Sequence, residues 1–408
     1  MKKILALLLA FLLVIGTFAA CDSVEKETDA PKEEQSETEE LKEEQSEAEE
    51  PEEESEKESE KESEKESEKE TETETETETE TETETETETE PSKGANELNE
   101  VYIRNGKKIT FGSYPQSEVT DSSLTATLNR KAGRLPTGLF DRQAWTYYYD
   151  YYISGEIGYF MWYIDVEEGG EKYRGVYFTS YRPCYTGYSS STDNTYQDDN
   201  GYTTSTVYWF KYEPISWTIL SEDMANGTAL ILCDMIIDSQ AYHHRYSSSV
   251  CTNNYARSTI RWWLNEIFYD TAFNKIQKYI ILTTTVDNSA ATTYSSTNEY
   301  ACENTQDKVF LLSYQDVINS NYGFSSSFSD NDIARRKKTT DYAQAQGAYT
   351  STSTDYAGNG WWWLRSPNPT SKDDAHRVIY DGYAYHYSLK SLVYSTSSGV
   401  VPALQIWR

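Results

Sequence analysis

Val101-Tyr102-Ile103-Arg104-Asn105-Gly106-Lys107-Lys108-Ile109-Thr110-Phe111 is two short alternating runs joined at Asn105-Gly106. Alternating apolar and polar residues have the period of a half-buried strand, and Asn-Gly accepts the positive φ values of a two-residue hairpin turn. The stretch therefore predicts an antiparallel hairpin, with Gly112-Ser113-Tyr114-Pro115 ending its second strand. A similar signal lies late in the chain. Arg377-Val378-Ile379-Tyr380 and Tyr383-Ala384-Tyr385-His386 flank Asp381-Gly382. Trp217 to Leu220 and Ala229 to Cys233 read as a central strand pair around a polar turn holding Asn226-Gly227, and Val400 to Ile406 as a last strand.

Helical signals are fewer. Ser258 suits an N-cap, and Ile260, Trp263, Leu264, Ile267 and Phe268 follow helical spacing. Ala272 to about Ile281 reads as a second short helix, Val309 to Leu312 as a buried strand, and Tyr314 to Asn319 as a helical turn. The fold class expected is α+β, antiparallel hairpins with a few helices. It occupies residues 97–408 as one domain, with a loop-rich insertion at about 121–212. Apart from Phe11 and Phe18, every aromatic residue of the chain lies in this part. Tyr dominates and Leu is sparse, which favours short strands and polar loops over a helical bundle.

The preceding residues have another character. Lys2 and Lys3 form a basic start, and Ile4 to Phe18 is an almost unbroken apolar run, short of the roughly 20 residues that span hydrocarbon. Phe18-Ala19-Ala20-Cys21 follows and resembles a lipobox, the signal for lipid transfer to Cys21 and cleavage before it. Phe18 stands where Leu is usual, and simple cleavage after Ala19 or Ala20 is the alternative. Residues 1–20 are then a lipoprotein signal peptide and 21–96 a stalk. Within 22–93, 35 acidic residues stand against 8 lysines, a net charge of −27 in a chain of −32. So little apolar surface and so much charge predict disorder. Only −7 is left for residues 94–408, from 33 acids and 26 bases. Nucleic acid is not an expected partner, because no basic patch offsets this field.

Six motifs of the folded part resemble, in order and spacing, a bacterial domain family of unknown function found in exported proteins. They are Ile109-Thr110-Phe111-Gly112-Ser113-Tyr114-Pro115-Gln116, Tyr212 to Trp217, Ser258 to Asn265, Asp307 to Ser313, Trp361-Trp362-Trp363-Leu364-Arg365-Ser366-Pro367 and Gly399 to Leu404. Val401 replaces the Arg usual before the Pro of the last motif. A more distant likeness is to the C-type-lectin-like fold, in the version used by formylglycine-generating enzymes. That resemblance implies pairing of the first and last strands. It implies none of the enzyme's chemistry, because no Cys follows Cys302 to supply the late cysteine pair.

Reactive side chains are sparse. Cys184, Cys233, Cys251 and Cys302 allow three disulfide connectivities, and Cys251 with Cys302, flanking the helical region, is the possible disulfide. His243-His244 are adjacent, and His376 and His386 flank the second hairpin. Asp198, Asp199 and Asn200 offer oxygen ligands for calcium, although their order does not match an EF-hand. No nucleophile elbow, phosphate loop or zinc-protease helix occurs. The Trp361-Trp362-Trp363 run and Arg365 read as structural, with Arg365 anchoring a buried carboxylate or carbonyl. Tyr380, Tyr383, Tyr385, His386 and Tyr387 are the candidate ligand-binding patch, because Tyr gives rigid amphipathic contact area that suits sugar faces and proteins. The expectation is a lipid-anchored surface protein, held to the membrane through Cys21, that presents a glycan- or protein-binding module on a stalk. The alternatives are a hydrolase of envelope or host glycans and a structural envelope component.

Overall fold

The computed structural model describes residues 101–137, 144–148, 161–182, 196–244, 251–384 and 391–408, and the backbone of 150–151 and 157–158. The expected signal peptide, Cys21, the stalk, Cys184, Tyr385, His386 and Tyr387 lie outside the described residues. The described part is mixed α+β, built on antiparallel strands with a few short helices.

The opening hairpin forms with a shifted turn. Strand β1 (Ile103–Asn105) pairs with β2 (Lys108–Glu118), Asn105 opposite Lys108. The two central turn residues are thus Gly106 and Lys107, and only Gly106 has a positive φ, of 62°. Glycine at the first central position is the type II′ solution, so the turn uses Gly106-Lys107 rather than Asn105-Gly106. Nor does β2 stop at Gly112. It runs on to Glu118, with register shifts against its partner between Thr110 and Ser113 and between Pro115 and Glu118. Gly112 takes φ +74°, and a Cβ there would lie 2.7 Å from the Phe273 ring. A glycine bulge therefore bends the strand where the sequence suggested a break.

The spine of the main sheet is β8 (Val207–Asp223), long enough to hold three partners. It pairs with β2 along one edge. Along the other it pairs with β7 (Glu171–Phe178) and then β9 (Thr228–Cys233). Strands β6 (Met161–Glu168) and β3 (Thr146–Tyr147) extend the β7 side, so the segment 121–212 adds strands to the main sheet. The last strand, β19 (Ala403–Trp407), pairs with β9 and not with β1. The strand pairing implied by the lectin-like resemblance is therefore absent, because β9 stands between β8 and β19. The two ends meet through side chains instead: Arg104 and Arg408 both pair with Glu222, at 2.8 and 2.7 Å.

A five-stranded sheet packs the rest of the core. Its order is β11 (Asp238–Ser239), β18 (Gly399–Val400), β15 (Trp362–Pro367), β16 (Asp374–Val378) and β17 (Ser391–Leu392). Every residue of β15 and β16 is buried. Two-stranded ladders join β4 (Asp150–Tyr151) to β5 (Ile157–Gly158), β10 (Met235–Ile236) to β14 (Lys338–Thr339), and β12 (Thr284–Val286) to β13 (Thr305–Asp307). Val309 to Leu312 is buried but forms no strand of its own, touching β19 through one bridge between Phe310 and Ala403.

Helix α1 (Ser122–Ala132) covers a small cluster of Leu128, Trp145, Trp162 and Trp209, where the Trp209 indole donates to Asn129. A single turn, α2 (Tyr196–Asp199), follows. The helix capped by Ser258 is a composite rod. It comprises α3 (Thr259–Trp263), a π-helical turn Leu264–Phe268 and α4 (Tyr269–Ala272). Ile260, Leu264 and Phe268 face the core. The second helix expected from Ala272 starts later, as α5 (Lys275–Ile280), because Asn274 and Gln277 close a capping box. The last is α6 (Asp341–Ala345).

Candidate functional site

The expected late hairpin forms only its turn among the described residues: β16 ends at Val378 and pairs with β17, and a single bond from Ile379 N to the Tyr383 carbonyl, 2.9 Å, spans Asp381-Gly382. Gly382 and Ile379 close the turn, with Gly382 N donating to Ile379 O at 3.0 Å. Tyr380 and Tyr383 are half-buried. The Tyr380 ring centroid lies 5.5 Å from that of Tyr356 and 5.9 Å from that of Tyr349. His376, on β16, is 2% exposed and packs 5.2 Å from the Tyr314 ring.

The tryptophan run divides its labour. Trp362 and Trp363 are wholly buried, and their indoles donate to the carbonyls of Arg335 and Gln240. Trp361 is half-buried. Tyr349 stacks on it at 3.9 Å, and the Arg377 guanidinium lies over it at 4.0 Å. Trp361 is thus held by a stacked ring and a guanidinium. Arg365 donates to the Asp316 carboxylate at 2.7 Å and to the Leu311 carbonyl at 2.8 Å.

Cys251 is exposed and Cys302 half-buried, and each is a free thiol, so the structure does not form the possible disulfide between them. The calcium candidates sit at helix α2. Asn200 turns its amide to the Gln344 and Ala348 carbonyls, and Asp198 accepts from Tyr181. Among the described residues no three His, Cys, Asp or Glu side chains gather to hold a metal ion. The amide donors of Asn200 pin α2 beside α6 rather than facing a cation.

A ligand-sized concavity opens elsewhere, at the start of the composite rod. It encloses about 380 Å³ and is lined by Arg257, Arg261, Trp262, Glu266, Gln306 and Lys308, among others. Trp262 lies off the apolar stripe of the rod and is 45% exposed. Arg261 is fixed by Asp307, at 2.6 Å, and by the Ala256 and Gln306 carbonyls. Asp307 itself is buried, and that burial holds its carboxyl above the usual range. Lys308 lies 4.3 Å over the Tyr269 ring. Arg257 closes a short turn on the groove's rim, exposed, and no described side chain pairs with it. The groove thus offers an aromatic plate, an anchored guanidinium and an uncommitted one.

A second concavity is smaller and more enclosed, about 30 Å³, lined by Tyr114, Tyr148, Tyr342, Arg174, Arg182 and Asp238, among others. That is room for about one or two waters. Its groups are mutually satisfied. Tyr114 donates to Asp238 at 2.6 Å, Tyr148 and Tyr342 share a bond of 2.8 Å, and Arg174 forks onto Asp165. Burial raises the Asp238 carboxyl to about 6 despite those donors.

Residues 226–407 match the model of a domain of unknown function, DUF6273. No curated protein and no solved structure matches the chain. The groove lies wholly inside the DUF6273 segment, whereas the enclosed chamber draws Tyr114, Tyr148 and Arg174 from before it. Neither Arg257 nor Trp262 belongs to the patch that the sequence points to. The signal was available in Trp262, an aromatic displaced from the apolar stripe of a helix, but position alone did not mark it as exposed.

Proposed function

We propose that the chain is a lipid-anchored binding module, carried outside the membrane on its acidic stalk, and that the groove beside the composite rod seats its ligand. The carrying observation is the exposed Trp262 next to the unpaired Arg257 in a concavity of about 380 Å³. An aromatic plate stacks on the apolar face of a sugar, and the cations Arg257, Arg261 and Lys308 favour acidic residues in it. Such a ligand is a surface glycan bearing carboxylates or sulfates. The lipid on Cys21 would fix the module at the outer face of the membrane, consistent with the signal-like sequence before it.

The test is a binding panel of acidic and neutral glycans and surface proteins, with the chain from residue 22 onward. Acidic glycans are expected to bind, and Trp262→Ala with Arg257→Glu to weaken them at least about tenfold, or about 1.4 kcal/mol. Equal binding by wild type and the double variant across the panel would sink the proposal. Hydrolysis of a glycan is the second reading, and one observation favours it. Glu118, raised above the usual carboxyl range by burial, shares Tyr202 with the Asp341 backbone and lies near the Asp341 carboxylate. Product release that disappears in Glu118→Gln would favour that reading.

A further inference from the structure

Five arginines are buried among the described residues: Arg174, Arg182, Arg335, Arg365 and Arg377. Four direct their donors at strong acceptors. Arg174 forks onto Asp165. Arg182 reaches the Ser239 and Gln346 carbonyls. Arg335 is held by the carbonyls of Gly382, Val317, Ser327 and Asp330. Arg365 meets Asp316 and Leu311. Arg377 differs. It is 8% exposed, and its only hydrogen bond among the described residues is a long one of 3.4 Å from Nη1 to the Ser398 hydroxyl. Its Nε is buried without an acceptor, and the buried Asp374 carboxylate acts on it electrostatically without an ion pair among the described residues.

Sheet register explains what surrounds it. Arg377 stands opposite Trp363, Ala375 opposite Ser391, and Gly399 beside Trp362. Alternation along the strands then puts Trp361, Arg377, Ser391 and Ser398 on one face. The Arg377 guanidinium lies 4.0 Å over the Trp361 ring. The Trp361 Nε1 and the Ser391 Oγ are also buried without a hydrogen-bond partner. Three buried polar groups, the Arg377 Nε, the Trp361 Nε1 and the Ser391 hydroxyl, thus stand on one face without a hydrogen-bond partner, beside the Ser398 hydroxyl that accepts weakly from Arg377. Leaving such groups unsatisfied is unfavourable, the more so for a charge. Burial lowers the Arg377 pKa to about 10, which still leaves the guanidinium charged at neutral pH.

We propose that Arg377 and Trp361 form a seat for an oxyanion, the carboxylate, sulfate or phosphate group of a ligand, with the Ser398 and Ser391 hydroxyls alongside. A guanidinium edge takes two oxygens side by side, and an indole N–H adds a further donor. A cation would meet like charge there. This seat shares no residue with the groove, so the two stand or fall separately.

Ten tryptophans give ten indole N–H signals in a nitrogen-15 spectrum, and the one missing in Trp361→Phe is the reporter. The full chain is titrated with sulfate, phosphate and acetate against chloride at equal ionic strength. A second arm uses polygalacturonate fragments against neutral oligosaccharides. A saturable shift of the Trp361 signal is expected with oxyanions and not with chloride or neutral sugars. Affinity, followed through other signals, should fall about tenfold in Trp361→Phe and vanish in Arg377→Gln. If Arg377→Gln does not fold, Arg377→Lys replaces it, with weaker and less selective binding expected. A shift with free ions means a seat open to small oxyanions; a shift with acidic sugar alone means that a larger ligand delivers the group. An unmoved Trp361 signal in every arm overturns the proposal, as does an affinity unchanged by both substitutions. Arg257→Glu should leave this titration as it is, which separates the seat from the groove.

Discussion

At the scale of the residue, Asp238 makes a claim about pH. It is 1% exposed, and burial, the largest influence, lifts its pKa to about 6, against donors from Tyr114, Ser239 and Gln240 that pull the other way. The folded state thus holds a proton that the unfolded state gives up at lower pH. The folded state binds more protons between about pH 4 and pH 6, so its stability falls as pH rises through that window and levels off above it. The loss is about 3 kcal/mol if the shift is about two units. Asp238→Asn should flatten that slope while retaining a polar partner for Tyr114. Urea unfolding at pH 4.5 and 7 checks this; equal pH slopes in wild type and variant would show that Asp238 does not carry the effect. Neither Asp238 nor Arg377 was legible as chemistry in the sequence. Asp-Ala-His-Arg-Val in β16 looks like a strand with polar exposed positions, yet all five residues are buried. When both faces of a strand are covered, polarity stops reporting exposure.

At the scale of the element, local turn chemistry was readable and its register was not. The Asn105-Gly106 and Asn226-Gly227 pairs each lie in or beside a hairpin turn. The turn residue was off by one at the first, because glycine can serve at either central position of a tight turn. The strand at Gly112 was misread for a related reason. Glycine followed two residues later by Tyr-Pro marks a breaker in isolation, and only the partner strand β8 shows that the chain carries on through a bulge. Gly112→Ala tests that geometry. The added methyl meets φ +74°, the Phe273 ring at 2.7 Å and the Ala272 carbonyl at 2.9 Å. A loss of about 2–4 kcal/mol is expected from strain plus overpacking. It should appear as a lower urea midpoint with an unchanged slope. Gly106→Ala, where nothing lies within 4 Å of the added carbon, should cost less. If the two variants lose equally, crowding by Phe273 is not what demands glycine at 112.

At the scale of the whole molecule, the boundary of the recognisable domain and the boundary of the core do not coincide. DUF6273 matches residues 226–407. Within that segment β9 has β19 on one side, but its other edge is bonded to β8, which precedes the match. The rod's aromatic side chains also lean on earlier residues. Phe268 packs 5.2 Å from Tyr114, and Phe273 packs 4.9 Å from Phe111 and 6.3 Å from Trp217. Asp238 would lose Tyr114 as its donor. A fragment of 226–407 would therefore expose an unpaired edge of β9 and one wall of its own core, and such surfaces aggregate or melt. Residues 97–408 are expected to unfold in one cooperative step, whereas 226–407 alone should show no sharp transition and poor dispersion of amide signals. The calorimetric enthalpy of each fragment is the measurement. A fragment of 226–407 that melts cooperatively near the midpoint of 97–408 would mean that β2 and β8 decorate the core rather than complete it.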